Sequence, residues 1–385
     1  MEFHKYLHLI KAAYEAILVF IDQDEQTIDE SQLSELFKQL DISNDKEALS
    51  RMIQILISIS LDHRQKPDFF NRIHSIIALL SGPIKKTFDN REIFELFKWN
   101  KVLLLYVIEQ GLVKIDKSIS DEIVTTNLIY DINYKFYFYP EIKDYLDSKE
   151  LSKFKAKLPK YDEFEFKQER EKGVKNDELM QIIRLDLIDK FTEKTNAEDR
   201  PFNFETEFCP SLFETNRLLN ESEVSLTEYA LFYGSSKIVD FLFRHKYKMN
   251  SSVWLYAVHS NNPYIMSLLM KQKIDYESPV TLLEESIRCH HSEAAKFILE
   301  KMINDEDRRH EIETRFFNSP TSFGFQYNNF SSVSEDISLK SAFFYSCQYR
   351  YMKMFELLLN SKEIDINATI VFKYCIYRIH FQLFQ

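Results

Sequence analysis

Glycine is the scarcest structural resource in this chain. It has 5 glycines in 385 residues, at Gly82, Gly111, Gly173, Gly234 and Gly324, all far apart. Loops that cradle phosphates need clustered glycines, so nucleotide binding through such a loop is excluded. Cysteine is also sparse. The 4 cysteines, Cys209, Cys289, Cys347 and Cys375, form no C-x-x-C pair, which argues against a zinc ribbon. Few, scattered cysteines suit a reducing compartment. Long apolar runs are missing as well. "VLLLYVI" (102–108) falls far short of the ~20 residues that cross a bilayer. Positive charge is in deficit, with a net charge of −11, so the chain as a whole repels nucleic-acid phosphates. A local basic stretch, "KFKAKLPK" (153–160), reads as a solvated linker or helix end, or else as a membrane-surface patch.

What is present is apolar and aromatic. Hydrophobic residues make up 45%, with 33 Phe and 21 Tyr, enough to bury a large core and too much for a disordered chain. The first residues, "MEFHKYLHLIKAAYEAILVF", place His4, Lys5, His8, Lys11 and Glu15 among apolar groups. That is an amphipathic helix rather than a signal peptide. The expected location is therefore cytoplasmic.

Apolar residues recur at helix spacing almost throughout. Phe3, Leu7, Ile10, Ala13, Tyr14, Ile17 and Phe20 share one face. Ser31 and Asp45 read as N-caps, and Gly82 and Gly111 as C-terminal stops. "YKFYFYP" (134–140) reads as a short extended piece before its proline. Residues 1–150 thus form an N-terminal helical region of paired helices. Residues 151–176 are strongly charged and read as an exposed connector.

From residue 177 a repeat sets in. "SLTEYALFYGSSKIVDFLF" (225–243), "SVWLYAVHSNNPYIMSLLM" (252–270), "TLLEESIRCHHSEAAKFIL" (281–299) and "SAFFYSCQYRYMKMFELLL" (341–359) share one cadence. The small residue of each first helix falls at Ala230, Ala257, Ser286 and Ser346, with spacings of 27, 29 and 60 residues. Periods of this size are the signature of stacked repeats. The long gap holds a polar stretch, about 304–337, read as an insertion loop or a degenerate repeat. Four residues after each small residue stand Gly234, Asn261, His290 and Arg350. Gly and Asn suit a tight left-handed turn there, whereas His290 and Arg350 depart from that preference.

This arrangement resembles the ankyrin repeat, over roughly residues 177–368. The matches are Ala230, Gly234, Val239 and Leu242 in the first unit and their counterparts in the next three; the T-P-L-H tetrapeptide is absent. The wording is similar to a large, protist-expanded group of ankyrin proteins with a helical N-terminal extension. The resemblance implies an all-α fold, an α-solenoid of ankyrin-like helix pairs preceded by the N-terminal helical region. It also implies a protein-binding scaffold with no catalytic, cofactor or metal site. The residues just before each turn are then expected to face a partner on the concave side: Phe232, Tyr233, His259, Ser260, Arg288, Cys289, Gln348 and Tyr349. The alternative at each position is packing against the neighbouring repeat.

Two other function classes stay open at this point, an enzyme in the N-terminal helices with the repeats gripping substrate, and a membrane-surface adaptor. No nucleophile-elbow, zinc-helix or kinase motif appears. "CHH" (289–291) and the His4/His8 pair are the tempting metal groups. Adjacent helix side chains diverge by about 100°, and no third ligand stands near His4 and His8. Trp254 reads as core. The tail 369–385, "VFKYCIYRIHFQLFQ" with its preceding residues, is apolar without a polar capping face. A repeat array that ends so is open to self-association.

Overall fold

The structure is a computed structural model that describes residues 2–22, 28–63, 68–125, 134–158, 163–173, 175, 177–196, 202–247, 249–276, 278–303 and 319–361. Among these residues it is almost wholly helical, and no helix is long and apolar enough to cross a membrane. The expected tail (369–385) and residues 304–318 of the expected insertion lie outside the described residues.

The N-terminal region contains α1 (Glu2–Asp22), α2 (Glu30–Gln39), α3 (Lys46–Asp62), α4 (Phe69–Thr87), α5 (Asn90–Phe97), α6 (Lys101–Glu109) and α7 (Lys117–Thr125). Helix α1 buries Phe3, Leu7, Ile10, Ala13, Tyr14 and Ile17 of the face its spacing predicts, whereas Phe20 is half-buried and the neighbouring Ile21 is buried instead. Asp45 caps α3 by accepting from the Glu47 and Ala48 amides. The cap of α2 is Asp29, not Ser31. Asp29 and Gln32 satisfy each other's amides in a capping box, which Ser31 cannot do from inside the helix. Gly82 does not end α4, which runs through Pro83 to Thr87. Gly111, at φ +62°, does close α6.

Residues expected to be extended are helical: α8 (Tyr134–Tyr137) and α9 (Tyr139–Ile142). The expected connector also folds, as α10 (Ser148–Lys157) and α11 (Glu163–Lys172). Its charge is partly internal. Arg170 is buried, donating to Glu141 at 2.8 Å and lying 5.0 Å over the Tyr137 ring. A charged segment can pack when its cation meets both an anion and an aromatic face.

The second half is a row of helix pairs: α12 (Glu178–Arg184) with α13 (Ile188–Thr195), α15 (Leu226–Phe232) with α16 (Ser236–Arg244), and α17 (Val253–His259) with α18 (Pro263–Lys271). Helix α19 (Pro279–Arg288) follows with α20 (Ser292–Phe297), which continues as a π-turn over Ile298–Met302. Short α14 (Arg217–Asn220) and a two-residue antiparallel pairing, Glu207–Phe208 with Val224–Ser225, lie between α13 and α15. The expected insertion then supplies a further first helix, α21 (Pro320–Tyr327), followed by a 3-10 turn at Phe330–Ser332. Helices α22 (Leu339–Gln348) and α23 (Met352–Asn360) close the row. The first helices touch in the order α12, α15, α17, α19, α21, α22, and the second helices α13, α16, α18, α20 follow the same order.

Each pair reverses on one residue at positive φ: Asp186, Gly234, Asn261, His290, Asn328 and Arg350. Ala230, Ala257, Ser286 and Ser346, four residues earlier, are fully buried, because two helices can approach closely only over a small side chain. Gly324 holds the same place in α21, four residues before Asn328. A Cβ there would stand 2.8 Å from the Asn329 carbonyl oxygen and 2.9 Å from Val333 Cγ2.

The polar turn residues also link successive pairs. Asp186 accepts from the amides of Lys237 and Ile238, both at 3.1 Å, at the start of α16. Asn261 accepts from the Ala294 amide in α20 at 3.2 Å. Asn328 accepts from the Tyr351 hydroxyl at 2.9 Å. The first two satisfy amides in the first turn of the next pair's second helix, which have no partner within that helix.

Two apolar cores result. One joins the N-terminal helices to α21–α23, through residues such as Tyr14, Leu56, Phe325, Phe330, Tyr351 and Leu358. The other fills the row from α12 to α20 and includes Trp254, 1% exposed.

Replacing Gly324 by Ala should destabilise the fold by about 1–3 kcal/mol, since the blocking atom belongs to the backbone and overpacked sites relax poorly. Equilibrium urea unfolding of the variant and wild type checks this. A midpoint within error of wild type would show that the close approach is not required.

Candidate functional site

The residues that lead into each turn stand on the first helices, so the row brings them into line. The structure turns most of them toward neighbouring helices. Phe232, Tyr233, His259 and Ser260 are buried. The Phe232 and His259 rings stack at 4.9 Å across α15 and α17. Tyr233 packs on Tyr229 at 4.8 Å, and Ser260 donates to the Ala257 carbonyl at 2.6 Å. Arg288, Gln348 and Tyr349 stay partly exposed. Arg288 donates to the Tyr327 hydroxyl at 2.7 Å, linking α19 to α21. Tyr349 bonds with Ser322 at 3.3 Å and donates to Gln326 at 3.4 Å, linking α22 to α21. These side chains form a ladder of contacts from pair to pair.

The centre of the ladder is Glu285 on α19, whose side chain is 7% exposed. His259 donates to it from Nε2 at 2.9 Å. Arg288 donates to Oε2 at 3.0 Å, and Arg217 reaches both oxygens at 3.2 and 3.3 Å. Burial alone would push this carboxyl up. The His259 hydrogen bond and the charges of His259, Arg288 and Arg217 outweigh it and hold the group down to about 2. Asp62, at the end of α3, is affected oppositely: burial, and then the charge of Glu285, push it up to about 6.

Cys289 lies 3.3 Å from His259 Nε2. The donor atoms of His259, Glu285 and Cys289 all fall within 4.8 Å of one another. Imidazole, carboxylate and thiolate together suit zinc. Here, however, two guanidinium groups already take both carboxylate oxygens, so the compensating cations are the protein's own. Burial pushes the Cys289 thiol well above its usual range, which keeps it protonated and unreactive. The three residues of the "CHH" triplet part company because they form the turn between α19 and α20, with His290 at positive φ. Cys289 faces Glu285. His290 faces α1 and α3, and His291 donates from Nδ1 to the Val258 carbonyl at 3.0 Å. His4 and His8 are both exposed on α1.

Chain segments far away in sequence complete the site. Arg217 comes from the short α14, whose Asn216 cap also donates to the Leu61 carbonyl at 3.1 Å. Arg51 on α3 donates to Asn328 at 3.2 Å and to the Arg350 carbonyl at 2.8 Å, with its guanidinium 3.7 Å over the Tyr351 ring. None of these partners carries a local signal in sequence. The first helices are therefore partly covered by the chain itself, and the side chains left open near the turns of α19, α21 and α22 include Glu284, Arg288, Gln326, Tyr327, Gln348 and Tyr349.

No family model, curated protein or solved structure matches the chain.

Glu285→Gln removes the charge and keeps the shape, leaving Arg217 to pair with Glu221 and Arg288 with Glu284. It should cost about 1–3 kcal/mol, as removing the charged partner of buried hydrogen bonds does. The wild-type contribution is present above the unfolded carboxylate value of about 4.3 and fades as pH falls from there toward 2. Denaturant titrations of both proteins from pH 7 to 2.5 read both effects. Equal stability at pH 7, or parallel acid limbs, would refute the hub assignment.

Proposed function

We propose that this chain is a non-enzymatic, cytoplasmic protein-binding scaffold, an α-solenoid of ankyrin-like helix pairs on an N-terminal helical region. The observation that carries the reading is the repeated unit itself. A small buried residue is followed four positions later by a left-handed turn at Gly234, Asn261, His290, Asn328 and Arg350. Pairs built this way stack side by side and present a row of first helices as one extended surface.

The binding stretch is the open end of that row. Arg288, Gln348 and Tyr349, with Gln326 and Tyr327, combine a guanidinium, two tyrosine rings and two amides in one partly exposed strip. Tyr and Arg contribute disproportionately to protein interfaces, because each joins a broad apolar body to directional hydrogen bonds. Phe232, Tyr233, His259 and Ser260 serve this function indirectly, by holding neighbouring first helices in register.

A photo-crosslinking side chain placed at Gln348, in the source cell's extract, should yield a discrete and saturable protein adduct. The adduct should weaken at least about tenfold when Tyr349 and Gln326 are both replaced by Ala, as for loss of an interface hot spot, while the melting temperature holds. The same probe at Tyr264, on the exposed face of α18, should give no such adduct. Absence of a discrete adduct at Gln348, or identical adducts at both positions, would defeat the reading.

A further inference from the structure

We propose that the junction between the two cores is an acid-sensitive hinge, at which added protons on His290 and His291 part α1 and α3 from the turn between α19 and α20. The chain has 10 histidines, and His63, His290 and His291 gather where α1 and α3 meet the turn of α19 and α20. All three are buried.

Hydrogen bonds engage all three rings. Ser58 donates to the Tyr327 carbonyl at 2.7 Å, so its oxygen must accept from His290 Nε2 at 3.1 Å. His290 Nδ1 then accepts from the Tyr14 hydroxyl at 2.9 Å. The ring is neutral and both its nitrogens are satisfied. His291 uses Nδ1 as a donor to a carbonyl. His63 differs: Nδ1 faces the Cys289 carbonyl at 2.9 Å and Nε2 faces the Asp22 carboxylate at 2.8 Å. It meets an acceptor on each side, and its ring centre lies 4.8 Å from that of His291.

Much of the charge around the neutral pair is already matched by partners of its own. Helix α1 brings Lys11, Glu15 and Asp22, of which Asp22 is engaged by His63 and Lys11 pairs with Glu335. The end of α3 brings Asp62 and His63, α17 brings His259, and α19 brings Glu285, which is already met by two arginines. The α20 stretch brings Lys296 and Glu300, along a cleft of about 680 Å³ that His290 and His291 also line. That cleft gives water a route to the junction. Burial, and then the nearby His63, hold both imidazoles well below their usual range.

The sign follows. A histidine kept neutral by the closed form supports closure fully at neutral pH, and that support is lost as pH falls below the free value of about 6.5. Asp62 opposes the change, because its raised value, about 6, lets protonation relieve the closed form in the same window. Two histidines against one aspartate leave opening favoured by acid. The opening constant then rises up to about tenfold per pH unit for each net proton taken up.

The test is amide hydrogen exchange on the full chain at pH 7.5 and 5.5, corrected for the intrinsic rate. Amides of 55–63 and 286–291 should exchange about tenfold faster or more at pH 5.5, while those of 238–242, inside the second core, stay unchanged. The double variant His290→Asn with His291→Gln should lose that contrast. If it does not fold, wild-type histidine ring NMR serves instead, with two rings whose titration midpoint coincides with the exchange change. The proposal fails if the junction amides do not respond to pH. It fails equally if the second core loosens in step, if the folded variant keeps the full response, or if the ring titrations do not track exchange.

Discussion

Each helix pair of the row turns on one residue held at positive φ, and the rest of the row depends on keeping it there. For glycine or asparagine that backbone is nearly free of strain. For His290 and Arg350 it is not. Those are the turns that the N-terminal helices grip, through Tyr14 and Ser58 on the His290 ring and Arg51 on the Arg350 carbonyl. Where local chemistry does not favour the turn, tertiary contacts hold it.

This accounts for the two cores. The row would be self-sufficient if each pair simply stacked on the next. Instead its last three first helices rely on different neighbours. Helix α19 packs into the second core, while α21 and α22 share the first with α1 and α3. The polar junction lies where the two meet. Glu285, Arg217 and Arg288 keep it charge-balanced on one side, and the histidines hold it on the other. Polar groups at such a seam specify one arrangement because any other would leave charges unpaired.

The same logic explains why the surface for partners is smaller than the repeat pattern suggests. The chain covers part of its own row with α14 and the end of α3. The stretch around Arg288, Tyr327 and Tyr349 keeps its side chains partly open. Residues before the turns thus divide into those that hold neighbouring helices together and those that remain accessible.

Much of this was legible in the residues alone. Helical spacing identified the buried face of α1, and the small residues Ala230, Ala257, Ser286 and Ser346 marked the close approaches, because both are local consequences of helix geometry. Gly324 and Asn328 carried the same signature but were hidden by an irregular spacing. The helical state of 134–142 and the burial of Arg170 depended on partners such as Glu141 and Tyr137, which local patterning does not reveal. Whether Tyr233 or Tyr349 faces outward, and why His290 tolerates its backbone, were decided only by which distant helix arrives to meet them. Periodicity determines what a segment can form and bury; the arrival of α1, α3 and α14 on the row determines which of its faces remains, since burial and hydrogen bonding belong to pairs of segments and not to either one.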